Sequence, residues 1–322
     1  MRILDVDVAK GERKVINLDI ARLHTGTALN VPVIVERGLE DGPCMLLTAG
    51  IHGDEMNGVE IVRQIVAKGY NRPQKGTVIC IPVVNVFGFL NKTREFPDGR
   101  DLNRVFPGSK KGSLASRFAY HLITYIVPHI DYCIDYHTGG DARFNYAQIR
   151  LDASNQETLE LAKVFGAKFI VDAANRDKSF RKTLAKKGKQ VLLYEGGQSL
   201  TLDRIVTKAG IQGALRVMQH LGMRDFSHEL GAYAIDTTTP LVFIRQSTWV
   251  RAKHSGMFRT EVKLGSWVKQ GTKIGSISNP YGNFEIDVKA SCSGYVICTN
   301  HASIVNQGDA LVHLSKECAE NF

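Results

Sequence analysis

Short apolar runs alternate with segments of helical periodicity over the first two-thirds of the chain. Several runs are continuously apolar, which is typical of strands buried on both faces. The predicted strands are VPVIVERG (31–38), CMLLTAG (44–50), TVICIPVVN (77–85), YCIDYH (132–137), KFIVDA (168–173) and VLLYEGG (191–197). Apolar residues three and four positions apart predict helices at residues 59–66, 114–126, 159–165 and 215–221. This alternation predicts an α/β fold in which helices flank a mixed, largely parallel sheet.

The pattern changes near residue 228, where helical periodicity gives way to short strands separated by glycines. Seven glycines in this segment lie 4 to 14 residues apart: Gly256, Gly265, Gly271, Gly275, Gly282, Gly294 and Gly308. Such spacing is typical of a small all-β sandwich or barrel. The sequence therefore predicts two domains, an α/β domain at residues 1–227 and an all-β module at residues 228–322.

Composition narrows the classes of protein to which the chain can belong. Of its 322 residues, 43% are hydrophobic and 23% are charged, which is typical of globular proteins and excludes disordered, collagen-like and coiled-coil chains. No run approaches the roughly 18 apolar residues of a membrane span, and the N-terminus lacks the apolar region of a signal peptide. The six cysteines are dispersed, without a CxxC pair. We therefore expect a cytoplasmic protein without disulfides and with no membrane partner.

Basic residues are in excess, with 41 Lys and Arg against 32 Asp and Glu, and seven of them lie between Arg176 and Lys189. A solvated surface segment is the simplest interpretation of this run. The charge also suits the attraction of a small anionic substrate. Only Phe169 and Phe180 accompany the run as aromatic residues, so no nucleic-acid partner is expected. The sequence leaves a homo-oligomer open.

The segment LLTAGIHGDEMNGVEIV places His52 and Glu55 three residues apart, where a helix begins after a predicted strand. Side chains at this spacing project the same way and are suited to sharing one metal ion. For this pair alone, the alternative is a helix-capping Asp54 or Glu55 beside an incidental His52.

Two later strands also end in residues suited to chemistry. YCIDYHTGG presents His137, and VLLYEGG presents Glu195. The carboxyl ends of parallel strands are where sites form. His137 would complete a His2Glu set with an open zinc position for water, from which Glu195 is suited to take a proton. Asp135 either orients a histidine or faces the other way. Taken singly, a hydrogen-bonded His137 and a turn Glu195 are the alternatives.

An arginine-rich loop, NKTREFPDGRDLNRVFPGS, lies between the first two of these segments. It holds Arg94, Arg100, Asn103 and Arg104 within eleven residues. Arginine forks and an Asn amide suit recognition of a carboxylate and of a developing oxyanion. On composition, a surface loop whose arginines pair with its own aspartates is an equal alternative.

Four motifs in this order, GIHGDE, GRDLNRVFPG, DYHTG and YEGG, resemble those of the succinylglutamate desuccinylase/aspartoacylase family, a branch of the zinc carboxypeptidase-like hydrolases. The resemblance covers the chain to about residue 225 and, more loosely, the C-terminal β module. It implies a zinc carboxypeptidase-like fold, one Zn²⁺ per chain and deacylation of a small N-acyl amino acid. The alternatives are a carboxypeptidase that removes a C-terminal residue from a peptide and, from another class, a non-catalytic, metal-stabilised binding protein.

Position by position, the resemblance makes His52, Glu55 and His137 the zinc ligands and Glu195 the general base. The same resemblance implies that the arginine-rich loop binds the substrate. Asn103 and Arg104 would hold a substrate carboxylate. Arg94 would polarise the scissile carbonyl, and Arg100 is the rival candidate for that role.

The C-terminal segment resembles the lipoyl/biotinyl-like module, through GSWVKQGTKIGSI (265–277) and SGYVICTNHASIVNQGDALVHL (293–314). The usual surroundings of a modifiable lysine are missing, and Lys289 is the nearest candidate. We therefore expect a scaffold that shapes the pocket entrance or mediates assembly.

Overall fold

The secondary structure follows the alternation in the sequence. The computed structural model describes residues 1–22, 26, 28–231 and 240–320. Within these residues the chain forms seven α-helices, α1 (Met56–Ala67), α2 (Val86–Asn91), α3 (Leu114–Tyr125), α4 (Gln156–Phe165), α5 (Phe180–Lys186), α6 (Arg204–His220) and α7 (Ser227–Gly231). The strands are β1 (Arg2–Ile3), β2 (Val6–Asp7), β3 (Arg13–Arg22), β4 (Ala28–Arg37), β5 (Glu40–Ala49), β6 (Lys75–Ile81), β7 (Tyr132–Gly139), β8 (Arg143–Leu151), β9 (Phe169–Asp172), β10 (Gln190–Gln198), β11 (Val242–Arg251), β12 (Gly256–Thr260), β13 (Trp267–Val268), β14 (Lys273–Ser278), β15 (Glu285–Lys289), β16 (Gly294–Asn300), β17 (Ile304–Val305) and β18 (Ala310–Glu320). The strands and helices predicted from the pattern are all present.

Side-chain caps fix where five of the helices begin, including α2 through Asn85 and α5 through Ser179. Ser113 before α3, Asn155 before α4 and Asp203 before α6 each accept a hydrogen bond from the backbone N–H three residues later. These caps satisfy backbone donors that have no partner inside the helix. Glu55, which precedes α1, makes no capping hydrogen bond. The helix-capping alternative for Glu55 therefore does not hold, and its carboxylate is directed elsewhere.

Twelve strands form one mixed sheet, in the order β13-β16-β18-β11-β9-β8-β10-β7-β5-β6-β4-β3. Parallel pairing is confined to two runs, β10-β7-β5-β6 and β8-β9-β11, and the remaining neighbours are antiparallel. The mixed α/β architecture is confirmed. Parallel pairing is less extensive than expected, because the N-terminal hairpin β3-β4 and the C-terminal strands extend the sheet with antiparallel neighbours.

Helices cover both faces of the large sheet. Residues of α1, α4 and α6 share one apolar core, and residues of α3 and α5 belong to a second core on the other face. Met45 and Leu46, which are successive residues of β5, lie in different cores, as expected for a strand that is buried on both sides. Among the described helices, none has the length and apolar content needed to cross a lipid bilayer.

The C-terminal strands divide between two sheets. β12, β14, β15 and β17 form a separate four-stranded sheet, whereas β11, β13, β16 and β18 continue the large one. β11 pairs with β9, and β16 pairs with β8. The large sheet therefore runs from the strands before residue 227 into those after it. The domain boundary at 227/228 stays a prediction, and residues 232–239 lie outside the described residues.

Candidate functional site

Three side chains of the types that bind metals meet where β5 and β7 end. His52 lies in the loop after β5, Glu55 directly precedes α1, and His137 lies near the carboxyl end of β7. One ligand atom from each lies within 4.8 Å of the others, and the residues are only 3%, 2% and 4% exposed. Since β5 and β7 are parallel neighbours, their carboxyl ends meet at the same edge of the sheet. The structure thus brings together the three residues of the predicted ligand set.

A glycine sets the position of the loop that carries His52. A Cβ atom at Gly53 would lie 1.8 Å from the carbonyl carbon of Gly88 in α2, a separation that no side chain tolerates. The second glycine of GIHGDE is therefore needed for the close approach of this loop to the backbone of α2.

Carboxylates contact both imidazole rings on the side away from Glu55. Nε2 of His52 lies 3.1 Å from Oδ1 of Asp101, and Nε2 of His137 lies 3.0 Å from Oδ2 of Asp135. The Nδ1 atoms of the two histidines lie 2.7 and 2.8 Å from the carboxylate oxygens of Glu55. Carboxylate contacts of this kind fix the orientation of a ligand histidine and raise its basicity. Of the two orientations left open for Asp135, the structure has the one that faces His137.

Charge interactions outweigh burial in this cluster. Burial by itself would raise the pKa of Glu55, but His52 and His137 outweigh it and hold this pKa well below its usual range. Burial would likewise lower the pKa of His137, but Asp135 and Glu55 raise it well above the usual value. Three carboxylates thus surround two imidazoles in a buried space, and such an environment favours a bound cation.

Of the two arginines considered for the scissile carbonyl, Arg94 reaches the cluster and Arg100 does not. Arg94 donates from Nη2 and Nε to Oδ2 of Asp101, at 2.9 and 3.2 Å, and its Nη1 lies 3.5 Å from Oε1 of Glu55. The side chain of Arg100 is 54% exposed and pairs with Asp98. The expected contact of Arg100 with substrate therefore has no support in the structure, because its side chain is directed to solvent.

Asn103 and Arg104 lie in a short turn of 3₁₀-helix and line the same cavity as the cluster. The side-chain oxygen of Asn103 accepts a 2.8 Å hydrogen bond from the backbone N–H of Phe180, which ties this turn to the start of α5. Burial, together with Arg176 and Arg94, lowers the pKa of Arg104 despite the opposing effect of Asp101. An anion bound beside Arg104 would relieve this repulsion.

Glu195 lies beside His137 on the neighbouring strand. The register of β10 with β7 pairs these two residues, and Oε2 of Glu195 accepts a 2.8 Å hydrogen bond from Nδ2 of Asn145 in β8. The pairing becomes irregular directly after Glu195, where Gly197 has φ of +78°. A Cβ atom at Gly197 would lie 2.4 Å from Nδ2 of Asn57. The last glycine of YEGG therefore allows the bend that ends the strand beside the site.

A cavity of ≈ 540 Å³ joins the residues of the predicted site other than Arg100. It is also lined by residues that sequence reasoning did not assign to the site: Arg143, Asn145, Arg150, Arg176, Arg181, Trp249 and Cys298. Arg176 and Arg181 belong to the basic run that was interpreted as a solvated surface segment. A signal for Arg181 was present, because it lies three residues before Leu184 and so on the apolar face of α5. No comparable signal marks the arginines of β8.

Comparison with known proteins agrees with this arrangement. The sequence model of one protein family, the succinylglutamate desuccinylase/aspartoacylase catalytic domain, matches residues 41–221. The N-alpha-acetyl-L-2,4-diaminobutyric acid deacetylase of Halomonas elongata is 28% identical over 306 residues, covering 90% of this chain and 86% of that protein.

Solved structures share the whole fold. The crystal structure of a succinylglutamate desuccinylase/aspartoacylase from Rhodobacter sphaeroides superposes with a TM-score of 0.83 at 25% identity, over 98% of this chain and 100% of that one. The product-bound ectoine utilization protein EutE (DoeB) from Ruegeria pomeroyi has a TM-score of 0.83 at 20% identity, over 97% and 98% of the two chains. At that identity the likeness shows the fold alone. The match to the catalytic-domain model spans more than half of the sequence, and the chain belongs to the succinylglutamate desuccinylase/aspartoacylase family.

Proposed function

We propose that this protein is a zinc-dependent amide hydrolase that removes the acyl group from a small N-acyl amino acid or a related carboxylate-bearing amide. The observation that carries the proposal is the buried cluster of His52, Glu55 and His137, which adjoins Glu195 in one cavity. Family membership supports a hydrolase of the deacylase type.

The donor set fits zinc, one ion per chain. Two imidazole nitrogens and one carboxylate are typical ligands of a catalytic zinc ion and leave one coordination position open. Because Asp101 and Asp135 contact the Nε2 atoms, both Nδ1 atoms remain for an ion. A zinc ion held by these residues would supply Lewis acidity, which lowers the pKa of water and polarises a carbonyl.

Glu195 is the proposed general base and proton shuttle. It accepts a proton from the attacking water and delivers it to the nitrogen of the departing amine. Asn145 holds Oε2 of this carboxylate, whereas Oε1 has no hydrogen-bond partner within the described part of the chain. Oε1 is therefore the atom that we expect to carry the proton.

Residues of the arginine-rich loop bind and orient the substrate in this proposal. Of the three side-chain contacts of Arg94, the one from Nη1 to Glu55 is the longest, at 3.5 Å. Nη1 is therefore the donor available to the oxyanion that develops on the scissile carbonyl. Asn103 and Arg104 hold the substrate carboxylate, so that the scissile carbonyl is positioned for attack.

The relative from Halomonas elongata supports deacylation over the cleavage of peptides, because its name describes the removal of an acetyl group from the α-amine of an amino acid. The decisive assay is a hydrolysis screen of N-acetyl, N-succinyl and N-formyl amino acids, with dipeptides in parallel. We expect turnover of N-acyl amino acids that is lost with a zinc chelator and restored by added Zn²⁺.

Three results would contradict the proposal: turnover that survives chelation, cleavage of the dipeptides alone, or no turnover by the zinc-loaded protein. The variant Glu195→Gln separates binding of the metal from chemistry. It should retain zinc by elemental analysis and lose turnover by about 10²-fold or more.

A further inference from the structure

One hydroxyl interrupts the apolar sequence of the strand that precedes the site. Thr48 lies in β5 between Leu47 and Ala49, and all three residues are fully buried. A buried hydroxyl costs free energy unless it has a hydrogen-bond partner, and the apolar core needs no hydroxyl at this position. The presence of this group is therefore explained by its partner rather than by packing.

The partner is the carboxylate that contacts His137. Oγ1 of Thr48 donates a 2.8 Å hydrogen bond to Oδ1 of Asp135, whereas Oδ2 of Asp135 lies 3.0 Å from Nε2 of His137. The parallel register of β5 with β7 pairs Thr48 with Asp135, so their side chains lie on the same face of the sheet. Asp135 is 1% exposed, and its carboxylate has no other hydrogen-bond partner in the described part of the chain. The two contacts, one on each oxygen, together hold this buried group.

Both contacts are needed to fix the plane of the carboxylate. The last torsion of an aspartate side chain is broad, so a single contact leaves the group free to turn. The cavity would draw it away from His137, because Arg181 lines the same cavity and its charge attracts Asp135. The hydroxyl of Thr48 opposes this rotation and so preserves the contact with the imidazole.

A neighbouring thiol shows how the hydroxyl of Thr48 is directed. Sγ of Cys133 lies 3.9 Å from Oγ1 of Thr48. Burial and Asp135 raise the pKa of this thiol well above its usual value, so the thiol keeps its hydrogen. Since a carboxylate only accepts, the single hydrogen of the hydroxyl goes to Asp135, and the thiol is the donor to Oγ1. The hydroxyl is thus fixed both as a donor and as an acceptor.

Different kinds of donor therefore support the two imidazoles of the cluster. Asp101, which contacts His52, is held by the charged Arg94, and the side chains of Asp101 and Arg94 are 21% and 34% exposed. Because Arg94 binds substrate in the proposed function, we expect this support to respond to substrate. The donor that supports His137 is neutral, fully buried and outside the cavity lining. A neutral donor leaves the charge of Asp135 to act on the imidazole, which raises the basicity of this ring as a ligand.

We propose that Thr48 is a positioning residue of the metal site, which fixes Asp135 and, through it, holds the ring of His137 in the orientation that binds the ion. The inference deepens the proposed function and rests on it, because it concerns the ion that His52, Glu55 and His137 are expected to hold. Thr48 makes no hydrogen bond with any of these three residues. Its effect is therefore expected in metal affinity.

Two substitutions separate the hydroxyl of Thr48 from the shape of its side chain. Thr48→Val keeps the shape and removes the donor, whereas Thr48→Ser keeps the donor and removes a methyl group. Competition with a chelator of known affinity measures the Kd for Zn²⁺, in which a loss of packing common to the metal-free and zinc-bound protein cancels. We expect Thr48→Val to weaken zinc binding by about 3- to 10-fold and Thr48→Ser to stay within about 2-fold of the wild type.

Thr77→Val is the matched control, because Thr77 is a buried threonine of the neighbouring strand β6 that pairs with Cys44, toward the amino ends of these parallel strands. It should bind zinc as the wild type does. Unchanged zinc affinity in Thr48→Val would overturn the inference. Equal weakening in Thr48→Val and in either Thr48→Ser or Thr77→Val would also overturn it, since packing rather than the hydroxyl would then be responsible.

A double-mutant cycle tests whether Thr48 acts through Asp135. Asp135→Ala should weaken zinc binding by about 10- to 100-fold. Addition of Thr48→Val should then change the affinity by less than about 2-fold, because the carboxylate that the hydroxyl holds is already absent. A double variant with the full product of the two single effects would overturn the inference. The comparison of Thr48→Val with Thr48→Ser decides the matter by itself if Asp135→Ala does not fold.

Zinc affinity is measured without substrate, so the result is independent of turnover. Weaker zinc binding in Thr48→Val, together with a zinc-loaded wild type that hydrolyses no N-acyl amino acid, would retain the positioning role and reject the deacylase. Zinc-dependent turnover with equal zinc affinity in Thr48→Val and wild type would retain the deacylase and reject the positioning role. A wild type that binds no zinc would overturn both.

Discussion

Nδ2 of Asn145 donates a 2.8 Å hydrogen bond to Oε2 of Glu195, across two antiparallel strands whose register is interrupted at this point. The register pairs Glu195 with Gln148 and then Gly197 with Asn145, so an irregularity between them brings Asn145 to the carboxylate. A neutral amide holds the carboxylate in place without neutralising it, as a general base requires.

The variant Asn145→Ala should lower kcat by about 10-fold or more with little change in KM or zinc content, since a hydrogen bond to a charged group is worth about 1.5–3 kcal/mol. Steady-state kinetics and elemental analysis measure these quantities. Asn279→Ala, in an exposed turn, is the control. A kcat equal to that of the wild type in Asn145→Ala would show that the hydrogen bond from Asn145 to Glu195 does not contribute to catalysis.

Arg94 and Arg100 offer a matched comparison within one loop. Arg94→Gln should reduce kcat/KM by about 10²- to 10³-fold, because a donor to the developing oxyanion is lost. Arg100→Gln should stay within about 2-fold of wild type, as expected of an exposed position. Kinetics on the same N-acyl amino acid decide the matter, and the opposite ranking would return the role to Arg100.

Asp101 links the metal cluster to Arg94, because its two oxygens contact His52 and Arg94 respectively. We expect Asp101→Asn to weaken zinc binding by about 10- to 100-fold, which competition with a chelator of known affinity measures. Asp98→Asn is the control, because Asp98 caps α3 through Ala115 and pairs outside the cavity. Equal zinc affinity in Asp101→Asn and wild type would show that the contact with His52 does not orient the ligand.

His313 should contribute to the pH dependence of stability. Burial and Arg150 lower its pKa to about 3 in the folded state, whereas an unfolded histidine protonates near about 6.5. Between these values the unfolded chain binds the extra proton, so the contribution is complete above about pH 6.5 and is lost as the pH falls.

The variant His313→Phe keeps a ring beside Trp249 and removes this titration. From pH 6.5 to 4.5 its free energy of unfolding should fall less steeply than that of the wild type, by up to about 1.4 kcal/mol per pH unit. Denaturant unfolding across this range measures the slopes. Parallel curves would mean that His313 also titrates normally in the folded protein.

Much of the fold was predictable because its central strands are buried on both faces. Their sequences, such as CMLLTAG and YCIDYH, are continuous apolar runs, and they appear as β5 and β7. β8 escaped detection because one side of it faces a polar cavity. Its sequence, RFNYAQIRL, places Asn145 and Arg150 where an apolar residue would reveal a strand. The extent of parallel pairing was overestimated, since periodicity contains no information about strand direction.

For the site, residues at strand ends were predictable and residues contributed by distant packing were not. His52, Glu55 and His137 meet as the order of their motifs implies. Arg181 is one of seven basic residues between Arg176 and Lys189, and only its position on the apolar face of α5 distinguishes it. Arg150 lines the same cavity because β8 pairs with β10 and β16, and local sequence patterns do not encode which strands pair.

The pairing of β16 with β8 has a consequence for how the molecule holds together. Trp249 and Cys298 line a cavity whose charged groups all come from residues before β11, so neither part of the chain forms the whole cavity by itself. Cutting the chain after α7 would leave the sheet with a bare edge at β9 and would open the cavity to bulk solvent. We therefore expect the last eighty residues to be needed both to cover this edge of the sheet and to complete the wall of the cavity.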